Sequence, residues 1–279
     1  MRDRSNALLM GLLSIPVLVS FASLFAPFGY SQIRVGDDYL PRLAPPSSEH
    51  ILGTTASGMD VFSRILLGAP TAITVAVSSI VIGLSVGVGL GIASAVVGKA
   101  LRAPLFVLSN AVFTLPEFLI ALAISVAVAA AAESYLQIIL TGSVSVAIAY
   151  SMKYFRVVQS AADKLVSSEY YKEARLAGVS RWRLTKNYLI KDSIRSTPAI
   201  MAMHGVDSIL VLAGLSFLGL GIDANMGAEW GYDLGRGLQD LVTGRWWTTL
   251  FPLLAIGITT VPLALLAERL TKTRGDAND

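Results

Sequence analysis

The 279-residue sequence has no cysteine, only two histidines, and charge on just 15% of its residues. Without cysteine there is no disulfide scaffold, no thiolate-held zinc or iron-sulfur site and no thiol nucleophile. A soluble domain carries roughly 25% charged residues, so this scarcity argues against a water-soluble enzyme, and against disorder or a coiled coil. A phosphate-binding loop is missing too. The nearest approach, Gly98-Lys99, has Ala93 five positions before the glycine and Ala100 after the lysine, so ATP is not bound by that route. H-E-x-x-H and G-x-S-x-G are absent, and His50 and His204 are far apart, which leaves metal and serine hydrolysis with little support.

What is present is apolar sequence, 54% of the residues, with a mean hydropathy of +0.64. A bilayer core about 30 Å thick needs about 20 apolar residues per helix. Six runs qualify: Ala7 to Phe28, Thr71 to Val97, Pro104 to Ala132, Leu136 to Met152, Pro198 to Ile222 and Thr248 to Ala267. The first is longer than a secretory signal core and has no A-x-A site before Pro27, so it reads as a retained anchor. Six spans place both termini on one side. Taking that side as cytoplasmic puts 17 of the 22 basic residues inside and leaves Arg34, Arg42, Arg64, Arg236 and Arg245 outside. That distribution obeys the positive-inside rule. The expectation is an all-α integral membrane protein with six transmembrane helices and cytoplasmic N- and C-termini.

Three regions follow: residues 1–70, an N-terminal anchor with an extended extracytoplasmic segment; 71–270, a transmembrane domain with a cytoplasmic loop at 153–197; and 271–279, a cytoplasmic tail. Pro41, Pro45 and Pro46 mark the extracytoplasmic segment as a connector without regular structure throughout. A second outer loop, Asp223 to Trp247, carries Trp230, Tyr232, Trp246 and Trp247, which suit an interfacial aromatic belt.

Glu117, His204 and Asp207 are the ionisable groups inside the apolar runs, and such residues usually face a cavity or a partner. His204 and Asp207, three apart, share a helical face and are able to hydrogen-bond; they line a pore or form a neutralised structural pair. Glu117 follows Pro116, which should bend the third span. Gly83, Gly87 and Gly91 form a face for close helix contact.

In the inner loop, Ser168 can cap a helix over Glu169 to Ala177, Gly178 fits its left-handed C-terminal position, and Ser180 can cap a second helix with Trp182, Thr185 and Leu189 on one face. Thr197-Pro198 suits a cap followed by a first-turn proline. Two short basic helices around a glycine break look like a docking surface for a cytoplasmic protein, or an amphipathic segment lying on anionic lipid.

Glu173-Ala174-Arg175-Leu176-Ala177-Gly178 resembles the E-A-A-x-x-x-G loop of binding-protein-dependent ABC importer permeases. Leu215-Ser216-Phe217-Leu218-Gly219-Leu220-Gly221, then Glu229-Trp230-Gly231, Trp246-Trp247 and Phe251-Pro252, resembles the C-terminal signature of the C-type permease of dipeptide, oligopeptide and nickel importers. Leu52-Gly53-Thr54, Gly58, Asp60-Val61 and Ser63-Arg64 resemble that family's segment before the second span. The sequence departs from the pattern at Lys172, where the family has Glu, at Lys191, where it has Pro, and at Thr55, Met59 and Leu212.

The resemblance implies a type I ABC importer permease of a bacterial or archaeal cell membrane, with no catalysis of its own and no cofactor. ATP and magnesium would be used by one or two partner ATPase subunits. Other partners would be a B-type permease, an extracytoplasmic solute-binding protein and the lipid bilayer, with no nucleic acid. Glu169, Lys172, Glu173, Ala174 and Gly178 would couple to the ATPase, and Glu117, His204 and Asp207 would line the path. Small peptides are the expected cargo, and nickel or a metal chelate the alternative. A secondary transporter driven by protons through Glu117, His204 and Asp207 is the rival from another class.

Overall fold

A computed structural model describes residues 11, 14, 18, 20–129 and 134–275. Most of the expected first span lies outside the described residues, as does the end of the tail. Among the described residues the regular structure is helical apart from a two-stranded hairpin, β1 (Arg34–Val35) and β2 (Asp38–Tyr39), in which Arg34 pairs with Tyr39. The helices are α1 (Val61–Val97), α2 (Lys99–Phe113), α3 (Glu117–Ala129), α4 (Tyr135–Ser167), α5 (Glu169–Leu176), α6 (Arg181–Ser196), α7 (Pro198–Phe217), α8 (Trp230–Leu241) and α9 (Trp247–Gly275).

Four of these, α1, α4, α7 and Trp247–Lys272 of α9, are long and apolar enough to cross a membrane. The pair α2 and α3 adds a fifth span if counted as one broken element. The bend expected at Pro116 in the run from Pro104 to Ala132 is present and sharp: the chain turns by 95° between the two helices. Pro116 has no N–H to continue α2, and Thr114 turns its hydroxyl back to the Ala111 carbonyl at 2.7 Å, closing the last turn.

Other boundaries shift outward. α1 begins ten residues before the expected Thr71 and passes through Pro70, because Asp60 caps it. The Asp60 carboxylate accepts from both the backbone N–H and the hydroxyl of Ser63 at 2.8 Å, and from His50 at 2.9 Å. α4 likewise starts from a capping box, in which Ser134 accepts from the Gln137 N–H and the Gln137 side chain accepts from the Ser134 N–H. It then runs fifteen residues past Met152, so the first third of the expected 153–197 loop is helix.

Small residues set the central packing. A Cβ on Gly83 would lie 2.8 Å from His204 of α7, one on Gly87 2.3 Å from the Ser151 carbonyl of α4, and one on Gly91 2.5 Å from Val158. The expected glycine face is therefore the seam along which α1 meets α4, with α7 at one end of it. A second centre forms around Trp230, packed on Ala69, Ala72, Ala76, Ile209 and Ala213.

The two motif segments that flank the helical bundle in sequence come together in space. Trp230 Nε1 donates to the Ile65 carbonyl at 2.9 Å and Trp247 Nε1 to the Thr54 carbonyl at 3.2 Å. Trp230 is 1% and Trp247 8% exposed, so these two are internal clamps and not the expected interfacial belt; Trp246 remains 46% exposed. Gly53, at φ +79°, sits where a Cβ would strike both Ala44 and Trp247. The first turns of α1 are thereby fixed on α8 and the connector on α9, even though most of the connector lacks regular structure.

Candidate translocation site and coupling surface

Two regions carry the expected functional residues. The first lies at the α2–α3 break. Glu117, the first residue of α3, forms an ion pair with Lys153 in the middle of α4. The two side chains are 32% and 33% exposed and line a cavity of about 570 Å³ with Thr114, Leu115 and Pro116 of the break and Phe113 of α2. The Lys153 ammonium also lies 4.0 Å above the ring of Tyr150, one helical turn earlier.

Tyr150 links this pair to α7. Its hydroxyl donates to the Asp207 carboxylate, and its ring stacks on the His204 imidazole at 3.9 Å with an interplanar angle of 4°. His204 is fully buried and bonded at Nε2 to Ser79 of α1, at 2.7 Å, and at Nδ1 to Tyr154 of α4, at 3.2 Å. The expected His204–Asp207 hydrogen bond is thus replaced. The two do share a face of α7, but each bonds to another helix, because Tyr150 stands between them and offers a ring to one and a hydroxyl to the other. All three expected residues belong to one connected polar cluster, of which only Glu117 borders the open cavity.

The sequence reading missed Lys153 and Tyr150. Lys153 follows the last residue of an apolar run, where a charge reads as the start of a loop. The available signal was the uncompensated Glu117, since a carboxylate in a span calls for a counter-ion.

The second region is α5 and its flanks. Ser168 accepts from the Tyr171 N–H at 3.3 Å and caps the helix. At the other end the Val179 N–H reaches the Ala174 carbonyl at 3.0 Å and the Gly178 N–H reaches Arg175 at 3.1 Å, with Gly178 at φ +83°. These two bonds define a Schellman motif, which explains why a glycine follows Ala174 by four. Ser180 then caps α6 through the Arg183 N–H at 3.3 Å.

α5 buries none of its residues: Leu176 is 89% and Tyr170 62% exposed. Lys172 pairs with Glu169 at 2.8 Å, three residues back, on the open surface. In α6 the expected apolar face is partly corrected: Thr185 and Leu189 are buried, whereas Trp182 is 51% exposed, being in the first turn beyond the end of the bundle. Thr197 adopts helical backbone angles and its side chain makes no cap, leaving Pro198 to open α7.

A third cluster holds the ends of the motif segments. Arg64 and Asp233 form a buried ion pair, and Glu229 caps α8 by accepting from the Tyr232 N–H at 2.8 Å. Burial pushes the Glu229 carboxyl up to about 7, against the lowering effect of backbone N–H donors and Ser216. Burial likewise raises Asp233, opposed by the Arg64 charge. Among the described residues, no group of three or more histidine, aspartate or glutamate side chains converges as a metal site.

Residues 87–273 match the family of binding-protein-dependent transport system inner membrane components. The chain belongs to that family. The match begins at the glycine seam and covers the α2–α3 break, the whole of α5 and most of α9. Similar proteins include the dipeptide transport system permease protein of Bacillus subtilis, 26% identical over 96% of this chain and 82% of the relative. The glutathione transport system permease protein of Pectobacterium atrosepticum is 30% identical over 81% and 72%. The oligopeptide transport system permease protein of Bacillus subtilis is 28% identical over 88% and 78%. As an inner membrane component the chain is a multi-pass membrane protein, in keeping with its apolar helices.

Proposed function

We propose that this chain is the permease subunit through which an ABC importer moves small peptides, with α5 as the element that docks on a partner ATPase. In this reading the chain has six spans with both termini cytoplasmic, α5 and α6 face the cytoplasm, and the segments around Trp230 and Trp247 face outward. ATP and magnesium act in separate ATPase subunits, and a homologous permease completes the pathway. A binding protein delivers the cargo. The names of the relatives, dipeptide, oligopeptide and glutathione transport, favour peptides over nickel or a chelate.

The observation that carries the proposal is the exposure of α5. A helix of eight residues without a buried side chain, capped at both ends and showing Leu176 and Tyr170 to solvent, has no intramolecular reason to be ordered. Its apolar tip fits a cleft on another protein, and it hangs directly from the end of α4. Glu169, Lys172, Glu173 and Ala174 would form the contact, with Gly178 letting the chain turn away.

The test is affinity purification in mild detergent, followed by uptake in liposomes. The wild-type chain should recover a second permease and ATPase subunits, and the assembly with its binding protein should take up a dipeptide with ATP present and an uncoupler added. Gly178→Trp should insert normally yet lose the ATPase and the uptake. Normal co-purification and transport by that variant would refute the docking assignment, and uptake abolished by the uncoupler at constant ATP would favour the proton-driven alternative.

A further inference from the structure

We infer that Glu117 and Lys153 form a recognition site for a zwitterion, each holding one terminus of a free peptide as it passes. The inference rests on the peptide reading above and gives it a chemical basis within this chain.

Among the described residues two other ion pairs join helices, and this pair differs from both: Arg102 and Asp163 of α2 and α4 meet on the open surface, 37% and 56% exposed. Arg64 and Asp233 are closed off, with side chains 2% and 8% exposed, whereas Glu117 and Lys153 remain a third exposed and share one open cavity. At about 570 Å³ that cavity falls within the span of about 300–1,000 Å³ common for small-ligand pockets. Most of its wall is apolar, Val112, Phe113, Leu115, Pro116 and Ala149, so the charges are the features able to orient a solute.

Electrostatics then restrict which solute fits. Parting a partly buried ion pair leaves each charge without its partner, at a cost that grows with the share of the side chains held out of water. A free peptide removes the penalty: its carboxylate goes to Lys153 and its ammonium to Glu117, and every charge keeps a partner with no change in the total. An anion alone would strand Glu117, and a cation alone would strand Lys153. The surroundings favour the exchange, because Lys153 keeps the face of Tyr150 while it releases Glu117, and Tyr150 is itself held by Asp207 and by stacking on His204.

The experiment is saturation-transfer NMR on the purified importer complex, without binding protein, using alanyl-alanine, N-acetyl-alanyl-alanine and alanyl-alanine amide. The wild-type complex should bind alanyl-alanine in preference to both blocked forms. Glu117→Gln should weaken binding of the amide about tenfold or more while sparing the acetylated form, and Lys153→Met should do the reverse. Lys153→Arg, which keeps the charge, should retain the wild-type order. Equal effects on all three ligands, a wild-type complex indifferent to blocking, or no binding to the wild type would overturn the inference. ATP-driven uptake of alanyl-alanine by the reconstituted wild-type importer separates the two levels. Uptake with indifferent variants removes the ion-pair site alone, whereas absence of uptake removes the peptide reading.

Discussion

Arg64 Nε and Asp233 Oδ1 meet at 2.7 Å across 169 residues of sequence, joining the start of α1 to α8 in a buried ion pair. Arg64 also donates to the Tyr30 carbonyl, at 2.5 Å, so one guanidinium fastens the connector, α1 and α8 together. The pair is not fully satisfied: Arg64 Nη2 and Asp233 Oδ2 are buried without a hydrogen-bond partner.

That arrangement predicts an asymmetric mutational response. Arg64→Leu strands a buried carboxylate and should destabilise the protein by about 3–5 kcal/mol. Arg64→Leu combined with Asp233→Leu should recover most of the loss, because it removes the desolvated charges together. Unfolding of the purified variants followed by tryptophan fluorescence reports both, since Trp230 sits beside the pair; equal losses in the single and double variants would contradict the argument.

Stability should also fall as pH rises. Glu229 has an ordinary value of 4.5 and a native value near 7, so the native state holds its proton more tightly than the unfolded state does. Its contribution is fully present below about 4.5 and is lost as pH rises through about 7, a change on the order of 3 kcal/mol. The upward shift of Asp233 acts in the same direction. Glu229→Gln keeps an acceptor for the Tyr232 N–H and should flatten the profile; a variant with the wild-type slope would assign it elsewhere.

Two neighbouring glycines of α1 should respond with opposite signs. An added Cβ at Gly87 meets Ser151 at 2.3 Å and Tyr154 at 2.6 Å, while at Gly89 nothing lies within 4 Å. Gly87→Ala should force α1 from α4 and destabilise by about 1–3 kcal/mol. Gly89→Ala should stabilise by roughly 0.5–1 kcal/mol through the lower entropy of the unfolded chain. Thermal denaturation in one detergent compares the two directly.

Ser168→Ala removes the α5 cap and should weaken that helix by about 1 kcal/mol while leaving the bundle intact. The expected result is an unchanged unfolding midpoint with reduced retention of the partner ATPase. A loss of global stability instead would mean that α5 supports the fold.

The parts of the structure legible from sequence were those written in local chemistry. Ser168, Gly178 and Ser180 mark helix ends through bonds spanning three to five residues, and Pro116 marked a discontinuity, though its 95° size depends on how α2 and α3 pack. Hydropathy located α1, α4, α7 and α9 but misplaced several ends: with Asp60 as its cap, α1 begins ten residues before the apolar window opens, and α4 runs on to Ser167 through Lys153, Arg156, Asp163 and Lys164, where that window has closed. Illegible were the pairings over distance: Glu117 with Lys153, Arg64 with Asp233, Trp230 with the Ile65 carbonyl of α1, and Trp247 with the Thr54 carbonyl of the connector. No spacing rule links residues brought together only by the fold. His204 and Asp207 show the same limit at short range, since a shared helical face does not decide which neighbour each one bonds.

α4 has 33 residues, no proline, and a length of about 50 Å, well beyond a bilayer core of about 30 Å. Lys153 and the Ser168 junction with α5 sit on this single unbroken rod, about 22 Å apart. The α4 residues that meet the glycines of α1 bracket that lysine: Ser151 and Tyr154 lie against Gly87, and Val158 against Gly91. Lys153 therefore sits on the contact line itself, and a tilt of the rod about that seam carries the α5 end, about 15 Å beyond Val158, much farther than it carries the ammonium.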